Sequence, residues 1–290
     1  MQIWLNGEIQ QSEAATLSAT AAGVTLGWGV FTTIGIWHGH PFALERHLSR
    51  LRHDAAATDI SIAFTDATIQ SALHQVVAQN SIQDGYARLT LTRRGDGRWN
   101  GDVGSDFSIL VAERPPSGNA AVKLGLSLYR LEARRPLAGV KATAYLGHQW
   151  AWREMTAQGF DEAVLCNSQG ALCECARANL FWVSRGEVRT PALDSGCLPG
   201  IAREIILEWL MEMGIESRQG IFSPHELAGA DEVFITTAAT GPRAVATYTE
   251  MDYEGTLNTA EINRVEHSYA APGPITQLLK ERWQQAVDEE

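Results

Sequence analysis

No stretch of this chain approaches the roughly 20 consecutive apolar residues that a membrane-spanning helix needs, so no span is expected. The opening Met1-Gln2-Ile3-Trp4-Leu5-Asn6-Gly7 lacks the basic start and apolar core of a signal peptide, which predicts a cytoplasmic protein. Cysteine is scarce. The four at positions 166, 173, 175 and 197 do not make a disulfide framework in a chain of 290 residues, which suits a reducing compartment. They also lack the paired CxxC spacing of a structural zinc site, so no metal is expected. Positive charge is in deficit, 23 Lys and Arg against 34 Asp and Glu, and the net charge of -11 argues against a general nucleic-acid surface. The same balance leaves room for a small anionic substrate held by a few local arginines. Repeats and low-complexity segments are absent. What is present, 45% hydrophobic and 20% charged residues, is the composition of a globular protein long enough for one large domain or two ordinary ones.

Apolar periodicity and turn residues divide the chain as follows. Asn6-Gly7 suits the tight turn of an opening hairpin. Residues 30–37 and 41–44 read as strands around His38-Gly39-His40, and residues 45–57 as a helix with Leu48 and Leu51 on one side. Thr65-Asp66 caps a second helix running to about residue 80, its apolar face built from Ile69, Leu73, Val76 and Val77. Residues 87–92 and 107–112 are strands, separated by a glycine-rich loop. Arg114-Pro115-Pro116-Ser117-Gly118-Asn119 is the one clear break in composition. It marks an N-terminal domain over residues 1–114, a linker over 115–120 and a C-terminal domain over 121–290. The second half offers a strand at 122–129, a helix at about 145–158, and strands at 163–166, 172–175 and 179–183. Leu198-Pro199-Gly200 leads into an amphipathic helix at 201–213, residues 232–237 form another strand, and Gly273-Pro274 begins a final helix. The pattern is α+β in two mixed domains, not a regular βαβ array.

Two residues stand out chemically. Lys141 lies in Leu137-Ala138-Gly139-Val140-Lys141-Ala142-Thr143-Ala144-Tyr145-Leu146, a small and apolar stretch, whereas most lysines are solvated. Such surroundings favour a lowered pKa and imine formation. Glu174 sits in Leu172-Cys173-Glu174-Cys175-Ala176-Arg177, where a buried carboxylate is costly unless paired. It is either a functional acid or one half of a structural ion pair, with Arg177 as the nearest cation in sequence. An imine-forming lysine and a carboxylate able to face a ring nitrogen are the two groups that pyridoxal phosphate chemistry requires most. Leu198-Pro199-Gly200-Ile201-Ala202-Arg203 places backbone N–H groups at a helix start, where they favour a phosphate, though Pro-Gly is also ordinary punctuation. Thr236-Thr237-Ala238-Ala239-Thr240-Gly241 is either a polar loop or a further set of donors. Arg50 is a solvated helix charge or a phosphate ligand, and Arg93, Arg94 and Arg98 are solvated or capture an anionic substrate.

Taken together these segments resemble the class IV aminotransferases, the fold-type IV pyridoxal phosphate enzymes. The resemblance rests on Gly27-Trp28-Gly29-Val30-Phe31-Thr32-Thr33, His47-Leu48-Ser49-Arg50-Leu51, the Lys141 region, Gly159-Phe160-Asp161-Glu162-Ala163, residues 174–182, Leu198-Pro199-Gly200-Ile201 and Ala230-Asp231-Glu232-Val233-Phe234. It implies a small N-terminal α/β domain and a larger C-terminal domain of mixed, barrel-like β-structure with helices, with pyridoxal 5'-phosphate (PLP) at their interface. It implies Lys141 as the imine lysine, Glu174 as the partner of the pyridine nitrogen, and Arg50, Ile201, Ala202, Thr237 and Ala238 as the phosphate site. A homodimer acting on a small amine or amino acid is implied too. Within the family, Glu174-Cys175-Ala176-Arg177-Ala178-Asn179-Leu180-Phe181-Trp182, Phe31-Thr32-Thr33 and Thr237-Ala238 are most similar to the aminodeoxychorismate lyases. That implies conversion of 4-amino-4-deoxychorismate to 4-aminobenzoate and pyruvate in folate synthesis, with Thr33 catalytic and Phe31, Arg93, Arg94 or Arg98 on the substrate side. The alternative is transamination of branched-chain or D-amino acids with a 2-oxo acid. The chain departs from the family at Trp28, where an acid is usual, and at Ala144, where asparagine is frequent.

Overall fold

The computed structural model describes residues 1–95, 104–114, 120–254 and 261–290. Arg98 and residues 115–119 of the expected linker therefore lie outside the described residues. The chain divides into two compact units: Met1–Gly118 with Val140–Tyr145 and Ala286–Glu290, and Asn119–Gly139 with Leu146–Gln285.

The first unit is built on a six-stranded sheet of β1 (Gln2–Leu5), β2 (Glu8–Gln11), β3 (Gly29–Trp37), β4 (His40–Pro41), β5 (Gly85–Arg93) and β6 (Ser105–Glu113), in the order β2-β1-β6-β5-β3-β4. All its pairs are antiparallel. The opening hairpin forms as its Asn-Gly turn predicts, with both residues at positive φ, 53° and 106°. Alternation of side chains along the strands then separates two faces. Val30, Ile34 and Ile36, with Ala87, Leu89, Leu91, Phe107, Ile109 and Val111, form one buried face. The helices α2 (Leu44–Ala57) and α3 (Asp66–Gln79), which follow a short α1 (Ala22–Thr25), cover it with Leu48, Leu51, Ile69, Leu73 and Val76. Thr65 caps α3, its hydroxyl accepting the Thr68 N–H at 3.2 Å. The residues in between, Phe31, Thr33, Tyr86 and Arg88 among them, point to the other face.

The second unit contains a nine-stranded sheet. Its elements are β7 (Val122–Leu131), α4 (Leu146–Ala157), β8 (Glu162–Asn167), β9 (Leu172–Cys175), β10 (Asn179–Ser184), β11 (Glu187–Pro191), α5 (Ile201–Glu212), β12 (Ser217–Gly220), α6 (His225–Ala228), β13 (Glu232–Thr237), β14 (Gly241–Glu254), β15 (Glu261–Ser268) and α7 (Pro274–Glu289). The order is β12-β11-β10-β13-β14-β7-β8-β9, with β15 paired to β14, and β9 comes round against β10 and β11, so the sheet curls. Leu124, Val164, Leu172, Leu180, Trp182, Val233, Ile235, Val245 and Tyr248 fill the curl. Among the described residues no helix is long and apolar enough to cross a membrane.

Three readings of the sequence need correction. Residues 41–44 are not a strand: β4 ends at Pro41, Ala43 takes a left-handed φ of 54°, and Leu44 opens α2 with its side chain in the core. The apolar run Pro41-Phe42-Ala43-Leu44 suits a strand locally, but burial of Leu44 against the sheet decides for the helix. The strands β11, β12, β14 and β15 have no counterpart in the sequence reading. Lys141 and its neighbours belong with the first unit, not with residues 121–290.

The start of α7 shows what secures a helix here. Glu232, buried in β13, accepts the N–H of Ile275 at 3.0 Å, the N–H of Thr276 at 2.9 Å and the Thr276 hydroxyl at 2.8 Å. Its carboxylate thus satisfies donors that a helix start leaves unpaired and sits at the positive end of the helix dipole. Glu232→Ala is expected to cost about 2–3 kcal/mol, since it strands buried donors. A thermal melt would record this as a lower Tm, on the order of 2–4 °C for each kcal/mol.

Candidate active site

Within the first unit, Lys141 is held by its backbone. The Phe31 N–H donates to the Lys141 carbonyl at 2.9 Å, the Thr143 N–H to the Gly29 carbonyl at 2.8 Å, and Val30 bridges Ala142, so the segment runs antiparallel to the start of β3. The Lys141 N–H is aimed at Asp54 Oδ2, 3.2 Å away on α2. Gly29 is needed for this approach, because a Cβ there would stand 2.8 Å from both the Leu91 carbonyl oxygen and the Thr143 hydroxyl. The Lys141 amine then lies 4.8 Å from the centre of the Phe31 ring and 5.5 Å from that of Tyr145. Phe31 and Tyr145 meet edge to face at 5.6 Å.

Arg50 reaches the sheet from α2, donating from Nη2 to the Thr32 hydroxyl at 2.9 Å. The same hydroxyl lies 2.7 Å from Nδ1 of His47. Both Thr32 and His47 are buried. Burial first, then the positive charges of Arg50 and Lys141, hold the His47 imidazole well below the usual histidine range, so it is neutral at physiological pH. On the other face, Thr33 pairs across the strands with Arg88, whose guanidinium carbon stands 3.7 Å over the Phe31 ring. The structure thus brings together Phe31, Thr33 and Lys141 with Arg88, which the sequence reading had passed over. The signal was available: in Gly85-Tyr86-Ala87-Arg88-Leu89, the even positions must face away from the helices. Half-buried Arg88 pays for desolvation, which pulls its pKa down, and no carboxylate pairs with it among the described residues.

Of the arginines read as substrate ligands, Arg93 and Arg94 each have a carboxylate beside them. Arg93 pairs with Asp59 at 2.8 Å and lies over the Trp28 ring, while Arg94 pairs with Asp106 at 2.7 Å. Trp28 packs on the core of the first unit and donates its indole N–H to the Thr58 carbonyl at 2.7 Å.

In the second unit Glu174 is buried on β9, and its Oε2 accepts the Leu198 N–H at 2.9 Å. Its Oε1 faces Nε2 of His148 at 3.6 Å, a neighbour from α4 that sequence separation concealed. The alternative pairing with Arg177 does not form: Arg177 binds Glu162 at 3.0 Å. Glu174 is thus a buried carboxylate with no arginine or lysine bridged to it among the described residues. Ile201 and Ala202 open α5 after Gly200, which offers no side-chain cap. A Cβ on Gly200 would fall 2.0 Å from Asn179 Oδ1, so glycine alone fits this entry. Asn179 is paired across the sheet with Thr236, whose buried hydroxyl has no hydrogen-bond partner among the described residues, and Thr237 and Ala238 follow at the end of β13. Free N–H groups, an unpaired hydroxyl and a helix dipole suit a phosphate. A buried carboxylate fixed by the Leu198 N–H suits a protonated ring nitrogen. The residues present therefore fit the cofactor that Lys141 suggests.

A small α/β unit that carries the lysine and a second unit with a curled mixed sheet that carries the buried carboxylate are the parts of a fold-type IV enzyme. A family profile described as amino-transferase class IV matches residues 29–248. A putative branched-chain-amino-acid aminotransferase of Methanocaldococcus jannaschii is 30% identical over 82% of this chain and 85% of its own. The aminodeoxychorismate lyase of Bacillus subtilis is 29% identical over 81% and 83%. The branched-chain aminotransferase of Escherichia coli superposes with a TM-score of 0.87 at 24% identity, covering 98% of this chain and 93% of that one. The chain belongs to the class IV aminotransferase family of PLP-dependent enzymes.

Among the described residues no group of three or more His, Cys, Asp or Glu is placed to hold a metal ion. The cysteines around Glu174 are buried thiols. Burial first pushes Cys173 up to about 12 and Cys197 up to about 11, with the Glu174 charge adding to both. Since only the thiolate is nucleophilic, none of the four should react with an aromatic disulfide reagent at pH 8 in the native protein. All four should react once denaturant is added. Lys141→Ala is expected to remove the visible absorbance of bound PLP and to slow turnover by about 10²–10⁴-fold or more, measured against wild type at saturating PLP.

Proposed function

We propose that this enzyme is a lyase that converts 4-amino-4-deoxychorismate to 4-aminobenzoate and pyruvate, a step toward folate. The observation that carries this reading is Thr33, a hydroxyl on the sheet face that also presents Phe31, Arg88 and the Lys141 amine. The likeness to the Bacillus subtilis lyase supports it.

Lys141 would hold the cofactor's aldehyde, Glu174 its ring nitrogen, and Arg50 with the N–H groups of Ile201, Ala202 and Ala238 and the Thr237 hydroxyl its phosphate. When bound, PLP supplies an electron sink for charge developing at the amine-bearing carbon. The Lys141 amine takes the proton from that carbon as general base. Glu174 keeps the ring nitrogen protonated, and its bond from Leu198 fixes the carboxylate for that task. The proton taken up by Lys141 would pass through the Thr33 hydroxyl, which gives one proton and regains another, to the methylene carbon of the departing enolpyruvate, which becomes pyruvate while the remaining ring gains aromaticity. Arg88 holds a substrate carboxylate, and its place over Phe31 keeps the guanidinium on the sheet face. The enzyme works in the cytoplasm as a homodimer.

Transamination of a branched-chain or D-amino acid uses the same Lys141, Glu174 and Arg50. The relative from Methanocaldococcus jannaschii favours that second reading. Incubation with aminodeoxychorismate and PLP, without any 2-oxo acid, separates the two. Sustained release of pyruvate with matching 4-aminobenzoate supports the lyase. Absence of pyruvate, together with conversion of the bound cofactor to its pyridoxamine form by an amino acid alone, would turn the assignment to a transaminase. In either case Arg88→Ala is expected to raise KM about 10–100-fold, the cost of a charge-assisted carboxylate contact, with Arg88→Lys in between.

A further inference from the structure

We infer that Thr32 is a positioning residue: its hydroxyl, held between Nδ1 of His47 and Nη2 of Arg50, aims the Arg50 guanidinium at the cofactor phosphate. The inference rests on the reading of Arg50 as a phosphate ligand and deepens it.

The geometry leaves little choice about how these groups are used. Arg50 has only donors, so the 2.9 Å contact occupies a lone pair of the Thr32 oxygen. The 2.7 Å contact to His47 then runs in one of two directions. Either the hydroxyl proton goes to Nδ1, or Nδ1–H donates to the remaining lone pair. Both directions lock the rotamer of Thr32, and Thr32 is a β-branched residue already stiff at χ1. Its backbone is fixed too, in the middle of β3 between β5 and the core of the unit. Arg50 is different, since its long stem carries about 2 kcal/mol of rotamer entropy that binding an anion would have to overcome. A bond to a rigid hydroxyl removes part of that freedom in advance.

The chemistry of the group also matters. A carboxylate in the place of the Thr32 hydroxyl would orient Arg50 but would take up its positive charge as well. The hydroxyl is neutral, so this contact orients the guanidinium without itself cancelling the positive charge. His47 acts in the same sense, because its burial keeps the imidazole uncharged and so spares Arg50 a competing cation. Its Nε2 is buried with no hydrogen-bond partner among the described residues, so the contact to Thr32 at Nδ1 is the ring's hydrogen bond there. Neither Thr32 nor His47 was a site residue in the sequence reading; Thr32 faces the helices while its neighbour Thr33 faces the other way.

Two substitutions make opposite predictions. Thr32→Val keeps the shape of the side chain and removes the oxygen, whereas Thr32→Ser keeps the oxygen and removes a methyl group. With PLP titrated into each apo-protein, Thr32→Val is expected to weaken binding about 5–20-fold, the loss of one hydrogen bond to a charged group. The ³¹P resonance of its bound cofactor should move from the wild-type position. Thr32→Ser should stay within about two-fold of wild type in affinity and keep the wild-type resonance. Thr32→Cys, close in volume with a poor acceptor, should behave as Thr32→Val and serves if the valine variant does not fold. Wild-type affinity and resonance in the oxygen-less variants, or a loss confined to Thr32→Ser, would overturn the inference in favour of a packing role. A wild-type chain that binds no PLP removes the cofactor reading itself, and this is seen before any variant is made.

Discussion

The short antiparallel pairing between residues 141–143 and the start of β3 is the constraint on which the rest of the first unit's chemistry depends. It takes a lysine that follows the break in composition by more than twenty positions and sets it against the first residues of β3, on the side away from β5. A backbone ladder is directional and short-ranged, so it positions the residue that bears it more tightly than side-chain packing could. Asp54 adds a second anchor from α2, and Gly29 leaves the space through which the two backbones approach. With the main chain fixed in this way, the Lys141 side chain needs only aromatic walls, Phe31 and Tyr145, to limit where its amine can go.

The β3 strand serves two purposes because its side chains alternate. Thr32 turns toward α2, where it meets His47 and Arg50; Phe31 and Thr33 turn away from it, toward Arg88. One strand therefore presents a hydroxyl to His47 and Arg50 on one face and Phe31 and Thr33 to Arg88 on the other. The same economy governs the second unit. There β9 carries Glu174 between two buried thiols, and the Leu198 N–H that holds its carboxylate lies just ahead of α5, whose N–H groups suit a phosphate. Charge is managed by burial and by ion pairs together: His47 is kept neutral and the thiols protonated by burial, while Arg177 is diverted to Glu162.

Reading the residues in order was most successful where chemistry and local structure coincide. Asn6-Gly7, Thr65 at the start of α3, and Gly200 before α5 each carry their own conformational reason, and the structure places them as that reason requires. It was least successful for residues 41–44 and for β11, β12, β14 and β15. A long polar strand such as β14 gains its place from β13, β7 and β15 on its flanks, and nothing local announces it. The arginines fared similarly. Asp59 and Asp106 beside Arg93 and Arg94 are visible only in the fold, while the facing of Arg88 follows from alternation along its strand.

By itself the sequence determined the class of chemistry through a resemblance: the motifs around Arg50, Lys141, Glu174 and Gly200 taken together are those of the class IV aminotransferases, while each one alone leaves an ordinary structural reading open. It also determined most helices, since an apolar stripe of period 3.6 needs no distant information. Tertiary structure alone decided which cations are spent in ion pairs, which side of β3 each threonine faces, and that His148 stands beside Glu174. The physical reason is that charge pairing and register depend on distances between segments far apart in the chain, and only folding sets those distances.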